Sequence, residues 1–549
     1  MHAPAAPDAA HADAAVTGAG VATRAAQAAQ AARQRRAPRA LIAAALVGPL
    51  VVLLPVALTF WRALSFGLAD AVDLLWRPLV GELLVNTLEI TVAGTLTCAV
   101  VGTALAWFVE RTDLPGRQLW GLLAAAPLAM PAFVTSYAWV SLSQDLQDFN
   151  GALLVITTAY FPLVYLPVAA ALRGLDPSLE ECARVLGCNR WTTFVRVVLP
   201  QLRPALLGSM LLVALGVMSE FGAFALLRFR TFTTEIYAEY RTSFDSGGAS
   251  LLASVLIVLC LLCVAVEFRV RGKARYARVD RGVRRAPWRH ALGRWRWPVV
   301  GAFVALNVVT LGVPLAMIAF WLTQPGAAAV TVADVSAPLL ASATFTSLGF
   351  GLLAGFVTTA LALPLAFLLI RHPGRLATFA ERTAFISQGM PGLVVALAIV
   401  SLAVRALQPL YQGTTLLIVA YAILFLPLAL VSVRAALLQS QQRLEDAARS
   451  LGLGRFATLR RVVLPLASPG LGAAASMVFI SVVTELNATL MLAPIGTQTL
   501  ATQVWADTTT LAFAAAAPYA ALLTGLSLVG SGLLFMFAGR AALARAAST

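Results

Sequence analysis

The chain contains 549 residues, of which 60% are hydrophobic and only 12% are charged, and its mean hydropathy is +0.83. Soluble globular proteins carry about 25% charged residues, so this composition excludes that class and indicates several membrane spans. The net charge of +15 also occurs in nucleic-acid-binding proteins. Here, however, the basic residues lie at span ends and in alternate loops, as membrane topology predicts, and not on one continuous face.

About twelve apolar runs, each of about 20 residues, have the length of a membrane-spanning helix. They follow a tail, residues 1–39, that is rich in Ala and Gln and lacks the apolar core of a signal peptide, so we expect a disordered cytoplasmic tail. The predicted spans cover residues 40–62, 83–109, 119–142, 150–172, 204–227, 249–268, 298–322, 342–370, 384–404, 415–433, 468–492 and 515–538. The predicted fold class is therefore an all-α polytopic membrane protein.

The Lys and Arg residues orient these spans, because such residues accumulate in the cytoplasmic loops of membrane proteins. If the N-terminus is cytoplasmic, the outer loops hold six of the 40 basic residues, namely Arg62, Arg77, Arg228, Arg230, Arg241 and Arg405. This asymmetry predicts an even number of spans with both termini inside, so the final tail, residues 541–549, is expected in the cytoplasm.

A basic linker, residues 269–297, divides the chain into a first transmembrane domain, residues 40–268, and a second one, residues 298–540. Trp288 and Trp295 lie among its arginines, a mixture that also occurs in nucleic-acid-binding segments. The place of the linker between two spans favours attachment to the anionic cytoplasmic leaflet instead.

Proline-containing motifs recur at corresponding places in the two domains. The matches are Leu114-Pro-Gly-Arg117 with His372-Pro-Gly-Arg375, Met130-Pro131 with Met390-Pro391, and Leu166-Pro167 with Leu426-Pro427. Both members of each match fall on the same side of the membrane, so the repeat is parallel. Two six-span units related by a pseudo-two-fold axis along the membrane normal are therefore predicted.

The Cys and His residues predict no metal site and no directly bound cofactor. Cys260-x-x-Cys263 has the spacing of a redox pair, but it lies in an apolar run without a second pair, which favours two small core residues. The four His residues all lie outside the predicted spans. Without a constellation of nucleophile, base and metal, a membrane-embedded enzyme is disfavoured.

Two cytoplasmic loops repeat one pattern, in which an acid and a Gly lie six positions apart and a Leu-Pro pair follows. The first runs from Glu181-Cys-Ala-Arg-Val-Leu-Gly187 to Val197-Val-Leu-Pro200, and the second from Asp446-Ala-Ala-Arg-Ser-Leu-Gly452 to Val462-Val-Leu-Pro465. One copy alone is typical of an amphipathic connector, whereas two copies with shared spacing favour a docking element.

The local sequence of the first loop predicts two short helices. Asp176 and Pro177 are typical of a helix start, and Gly187 is typical of a C-terminal cap. A second helix is predicted from Arg190 to Val198, which Pro200 would end or bend. Small residues would let another backbone approach closely; they are Ala183, Ala447 and Ala448.

Both loops resemble the EAA motif of ATP-binding-cassette importer permeases with MetI-like domains, in which a short helix inserts into a groove on a cytoplasmic ATPase. The resemblance assigns ATPase docking to Glu181, Cys182, Ala183, Gly187, Leu199 and Pro200, and to Asp446, Ala447, Ala448, Gly452, Leu464 and Pro465. Cys182 in place of Ala and Asp446 in place of Glu are conservative departures. The chain has no Gly-x-x-x-x-Gly-Lys-Ser/Thr phosphate loop. The resemblance therefore implies two copies of a separate ATPase subunit, which would use the ATP.

Two acids lie near the ends of the fifth predicted spans, each 39 positions after its motif acid: Glu220 and Glu485. A carboxylate at this depth is costly unless it meets a polar cavity or a partner. Either the two acids line the translocation path, together with Ser219, Thr484 and Asn487, or they bond to the backbone of a broken helix. We favour the path.

Polar residues follow each acid, from Thr231 to Tyr237 and from Thr499 to Trp505. Together with Ser219-Glu-Phe-Gly222 and Thr484-Glu-Leu-Asn-Ala-Thr489, they are similar to the fused permeases of ferric iron importers. This resemblance implies an inner-membrane permease that receives ferric iron from a periplasmic binding protein. Permeases for thiamine, aminoethylphosphonate and related solutes share much of the pattern, and a secondary transporter is a further alternative.

Overall fold

The computed structural model describes residues 37–175, 177–271, 289–324, 336–439 and 442–546. Within these ranges the regular structure is helical, and ten helices are long and apolar enough to cross a membrane. Two bent pairs of shorter helices raise the number of candidate spans to 12. The predicted fold class is thereby confirmed. Most of the predicted N-terminal tail, residues 1–36, lies outside the described residues.

The first half contains six candidate spans and the short helices that join them. Its helices are α1 (Arg39–Ser65), α2 (Leu68–Leu75), α3 (Pro78–Arg111), α4 (Arg117–Ala125), α5 (Ala132–Leu142), α6 (Phe149–Gly174), α7 (Pro177–Val185), α8 (Arg190–Thr193), α9 (Leu199–Ser219), α10 (Gly222–Leu226), α11 (Phe232–Arg241) and α12 (Ser246–Arg271).

The second half repeats this order of elements. Its helices are α13 (Arg296–Asn307), α14 (Val313–Leu322), α15 (Ala337–Arg371), α16 (Arg375–Ile386), α17 (Gly392–Ala406), α18 (Thr414–Gln439), α19 (Gln442–Ser450), α20 (Arg455–Thr458), α21 (Leu464–Val483), α22 (Asn487–Leu492), α23 (Leu500–Thr509) and α24 (Phe513–Ala546). A π-helical turn, Val308–Gly312, joins α13 to α14 within one span.

The third span of each half is broken at its Met-Pro pair. Residues 117–129 meet α5 at 90°, and residues 375–389 meet α17 at 105°. The residue before a proline avoids the helical conformation, and Met130 and Met390 are accordingly extended, with ψ angles of 117° and 120°. The sequence predicted each third span as a single run, and the structure corrects this to two helices at a steep angle.

The first span of each half packs against the other half. Helix α1 contacts α15, α16 and α17 as well as α12 of its own half, and α14 contacts α5 as well as α24. Ala45 and Val52 of α1 are accordingly buried in the core of the second half, and Ile318 of α14 is buried in the core of the first. The two halves therefore interlock through their first spans.

The end of the basic linker is attached to the loop after α3. Leu292 donates its backbone N–H to the carboxylate of Asp113 at 2.8 Å, and Arg296 donates to the same carboxylate at 2.9 Å. The bond from Leu292, followed by that from Arg296, holds the pKa of Asp113 below its usual value. Residues 272–288, which include Trp288, lie outside the described residues.

Candidate functional site

The two motifs lie on α7 and α19, each of which exposes one face and buries the other. On both helices the third residue of the motif, Ala183 or Ala448, is buried against the protein. The first and second residues face outward: Glu181, Cys182, Asp446 and Ala447. Helix α7 begins at Pro177, as predicted, and Asp176 lies outside the described residues.

A left-handed glycine ends each of these helices. Gly187 has a φ of +80° and Gly452 a φ of +88°. The following backbone N–H groups, of Cys188 and Leu453, turn back to the carbonyls of Ala183 and Ala448 at 3.0 and 3.1 Å. This arrangement satisfies carbonyls at the helix end and needs a residue that tolerates positive φ. The predicted C-terminal cap at Gly187 is confirmed, and Gly452 plays the same part.

The Leu-Pro pairs lie inside a continuous helical segment rather than at its end. A π-helical turn, residues 194–198, is followed directly by α9, and the turn at 459–463 is followed by α21. Leu199 and Pro200 are thus the first residues of α9, and Leu464 and Pro465 the first of α21. Pro200 was predicted to end or bend the helix that begins at Arg190; it does not end that helix, which continues into α9. A proline lacks the N–H that would bond to the preceding turn, so it fits where a wider π turn has already changed the pattern.

Large apolar side chains project from both motif-bearing segments, and the motif alone did not indicate them. Leu186 and Leu451 are 82% and 84% exposed. Trp191 and Phe456, four residues after the glycines, are also exposed. Both pairs keep the spacing of the motif repeat, and that shared spacing is the signal that could have found them.

Helices α7 and α19 each also carry an inward-facing acid that the motif alone did not indicate. Glu180 lies 2.9 Å from Arg111, the last residue of α3. Glu445 accepts a hydrogen bond of 3.0 Å from Nε of Arg371, the last residue of α15. Both acids are buried and immediately precede the acid of the motif.

Glu220 follows the end of α9 and contacts two donors. Its Oε1 accepts the backbone N–H of Ala223 in α10 at 2.9 Å, and its Oε2 accepts the hydroxyl of Tyr160 at 2.7 Å. The first contact caps the short helix that follows the break in the fifth span. Tyr160, from α6, was not identified from the sequence.

Glu485 occupies the corresponding place after α21. Its carboxylate accepts the backbone N–H groups of Ala488 and Thr489 at 2.9 and 3.2 Å, and the Thr489 hydroxyl at 3.1 Å. The hydroxyl of Tyr421 contacts that of Thr489 at 2.8 Å. Both acids thus bond to the backbone of a broken helix, which was one of the two alternatives drawn from the sequence. The other alternative, that the two acids line the translocation path, stays a prediction.

The other predicted path residues lie where the fifth spans of the two halves meet. Asn487 donates its side-chain N–H to the carbonyl of Ser219 across the halves at 3.4 Å. The hydroxyls of Ser219 and Thr484 bond to carbonyls of their own helices, at 2.7 and 2.9 Å. A Cβ added to Gly222 would lie 2.7 Å from Leu486, so the two breaks are in close contact.

The Thr-rich segments form a matched pair of helices, α11 and α23, each opened by a capping box. Their first backbone N–H groups bond to hydroxyls of the second spans, Thr87 at 3.2 Å and Ser347 at 2.9 Å. Tyr237 of α11 meets Trp505 of α23 with ring centroids 5.8 Å apart. The ring centroids of Phe221 and Tyr237 lie 4.6 Å apart, so an aromatic cluster joins the halves beside Glu220.

Comparison with known proteins gives matches in both halves. The family described as binding-protein-dependent transport system inner membrane component matches residues 99–271 and 351–543. The Fe(3+)-transport system permease protein FbpB 2 of Haemophilus influenzae is 37% identical over 86% of this chain and 92% of its own length.

Two more distant relatives match 79% and 39% of this chain. The ferric transport system permease protein FbpB of Actinobacillus pleuropneumoniae is 23% identical over 79% of this chain and 68% of its own length. The sulfate transport system permease protein CysT of Escherichia coli is 29% identical over 39% of this chain and 84% of its own length.

Proposed function

The chain belongs to the binding-protein-dependent transport system inner membrane components, and from this premise we propose that it is the permease subunit of an ATP-driven importer of ferric iron. The observation that carries the proposal is the pair of docking helices, α7 and α19, with matching exposed acids and apolar residues. Each would seat one copy of a cytoplasmic ATPase subunit. Both termini and both docking loops then lie in the cytoplasm, as the distribution of basic residues predicts.

The substrate is proposed from the relatives that match over most of the chain. Two of them are named as ferric transport permeases. The sulfate permease matches only part of this chain. A periplasmic binding protein would deliver the ferric ion to the outer loops. The chain itself would hold no cofactor, and ATP would be consumed by the partner ATPase.

Transport would proceed by alternating access. Contacts across the halves at Ser219–Asn487 and Gly222–Leu486 favour a closed outer end of the path in this conformation. ATP-driven closure of the two ATPase subunits would push on α7 and α19, separate these contacts and open the path outward. Ser219, Thr484, Asn487 and the two acids would then line it.

Uptake of radiolabelled ferric citrate by a strain deleted for this chain tests the proposal. The intact chain should restore energy-dependent uptake, and the double variant Glu220→Gln/Glu485→Gln should restore much less while still retaining the ATPase during purification. Uptake that persists without any ATPase, driven by an ion gradient, would support a secondary transporter instead. Restored uptake of sulfate but not iron would refute the proposed substrate.

A further inference from the structure

A buried ion pair connects each docking helix to the second span of its half. In the first half, Arg111 and Glu180 lie 2.9 Å apart, with side chains 0% and 5% exposed. In the second half, both Nε and Nη2 of Arg371 contact Oε1 of Glu445, with side chains 12% and 2% exposed. The two pairs occupy the same position in the repeat, one residue before the motif acid.

Arg111 contacts α6 as well as α7. Arg111 is the last residue of α3, and its Nη2 also donates to the carbonyl of Leu172 in α6 at 3.2 Å. One guanidinium therefore joins the ends of two membrane helices to Glu180. The main packing partners of α7 are the residues that directly follow it, 190–198, whereas this contact connects it to a distant part of the chain.

Burial makes these pairs unlike ordinary surface ion pairs. Solvent and salt screen an exposed pair, so its two partners separate at little cost. A buried pair moves as a unit, because separating its members leaves an unpaired charge away from water. A displacement of α7 or α19 is therefore transmitted to the arginine and to the span that carries it.

We propose that Arg111–Glu180 and Arg371–Glu445 are positioning contacts that transmit the movement of the docking helices to the second spans. The inference rests on the proposed function, since it requires an ATPase that moves α7 and α19. The second spans are placed to carry this movement. Arg111 and Arg371 are the last residues of α3 and α15, whereas Thr87 and Ser347 lie in the first third of the same helices and accept the first backbone N–H groups of α11 and α23. The pairs thus connect the docking surface to the helices at the opposite end of the path.

The chain offers a matched control for the ion pairs. Arg434 and Glu381 form an ion pair in the second half whose side chains are 45% and 28% exposed. It joins α18 to α16 and does not touch a docking helix. Glu381→Gln removes the same charge as Glu445→Gln but leaves the proposed connection intact.

Hydrogen exchange of the tagged permease, purified with its ATPase, distinguishes transmission of movement to the second spans from docking of the ATPase itself. Trapping the ATPase with ATP and vanadate should change exchange in α7, α19 and the last turns of α3 and α15 of the wild type. In Glu180→Gln/Glu445→Gln, α7 and α19 should still respond, while the responses of α3 and α15 are lost. Ferric uptake should fall about tenfold with ATP hydrolysis changed less than about twofold.

The charge-swapped pair, Arg371→Glu with Glu445→Arg, and Arg371→Lys guard against a folding defect. A Lys at position 371 keeps the charge without the two-pronged contact, so an intermediate loss of the α15 response is expected. Equal responses of α3 and α15 in wild type and Gln variants would overturn the inference, as would an equal effect of Glu381→Gln. If α7 and α19 of the wild type fail to respond to trapping, the proposed docking function fails instead.

Discussion

Replacing the two glycine caps by valine should uncouple ATP hydrolysis from transport. Gly187 and Gly452 have φ angles of +80° and +88°, and a Cβ at either position would meet no atom within 4 Å. The penalty is therefore conformational and not steric. An L-residue in the left-handed region costs about 1–2 kcal/mol, and a β-branched side chain is among the least suited to it.

A cost of this size acts on the two motif loops separately, because they lie in different halves of the chain. Each loop would shift its equilibrium away from the observed turn by about fivefold to thirtyfold. The exposed faces of α7 and α19 would then be presented in the wrong orientation for much of the time. We expect Gly187→Val/Gly452→Val to lose most ferric uptake while the ATPase keeps hydrolysing ATP.

Uptake and ATP hydrolysis measured on the same membranes test this expectation. Asn tolerates left-handed φ better than Val, so the Asn double variant should retain intermediate uptake. Gly454→Ala is the matched control, because Gly454 is in the same loop, has open space at its Cβ and lacks a left-handed φ. Wild-type uptake by the Val double variant would refute the reasoning. An equal loss of uptake in Gly454→Ala would refute it too.

Three further predictions concern other surfaces of the chain. Leu186→Asp/Leu451→Asp places charges where exposed leucines would be buried by a partner, so less ATPase should co-purify; unchanged recovery would contradict a role in docking. Tyr237→Ala/Trp505→Ala removes an aromatic contact between the halves, so ATP hydrolysis without substrate should rise severalfold; an unaltered basal rate would argue against a closing role. The pKa of Asp113 is lower in the folded protein than its usual value of 3.8. The ionised carboxylate therefore holds the linker fully above pH 3.8, and this contribution is lost as the pH falls through the lower pKa of the folded protein. Asp113→Asn should therefore speed amide exchange around Leu292 at neutral pH, and identical exchange would show that the carboxylate does not hold the linker.

The sequence predicted the helical class and the short helices that carry the two motifs, because both depend on local patterns. Apolar runs of spanning length and the repeated motif spacing can be recognised without knowing which residues are in contact in the fold. The same local reasoning identified Gly187 as a cap. It did not show that the helix continues through Pro200, because the π turn before the proline changes the hydrogen-bond pattern, and the missing N–H of Pro200 then does not interrupt the helix.

Contacts between distant segments could not be predicted in the same way. Arg111 and Arg371 end membrane spans, where a basic residue is expected from topology alone. Glu180 and Glu445 lie in the first turn of a helix, where acids are common for electrostatic reasons. Each residue thus has a sufficient local explanation, and only the fold reveals that they are buried partners.

If Glu220 and Glu485 line the path as proposed, the donors that hold them predict unequal roles in transport. Glu220 contacts one backbone N–H and the Tyr160 hydroxyl, whereas Glu485 contacts two backbone N–H groups and the Thr489 hydroxyl. A ferric ion prefers oxygen ligands and must displace donors to reach a carboxylate. Rotation of Tyr160 frees one oxygen of Glu220, but the backbone donors of Glu485 move only if α22 moves.

We therefore expect Glu220→Gln to reduce ferric uptake more than Glu485→Gln. Tyr160→Phe, which removes the displaceable donor without removing the carboxylate, should retain more uptake than Glu220→Gln. This order is tested by measuring ferric uptake as a function of concentration in the three single variants. The amount of permease recovered is quantified in each strain. Equal losses for the two acids, or a loss for Tyr160→Phe as large as that for Glu220→Gln, would show that the carboxylates act through the fold of the broken helices and not through contact with the ion.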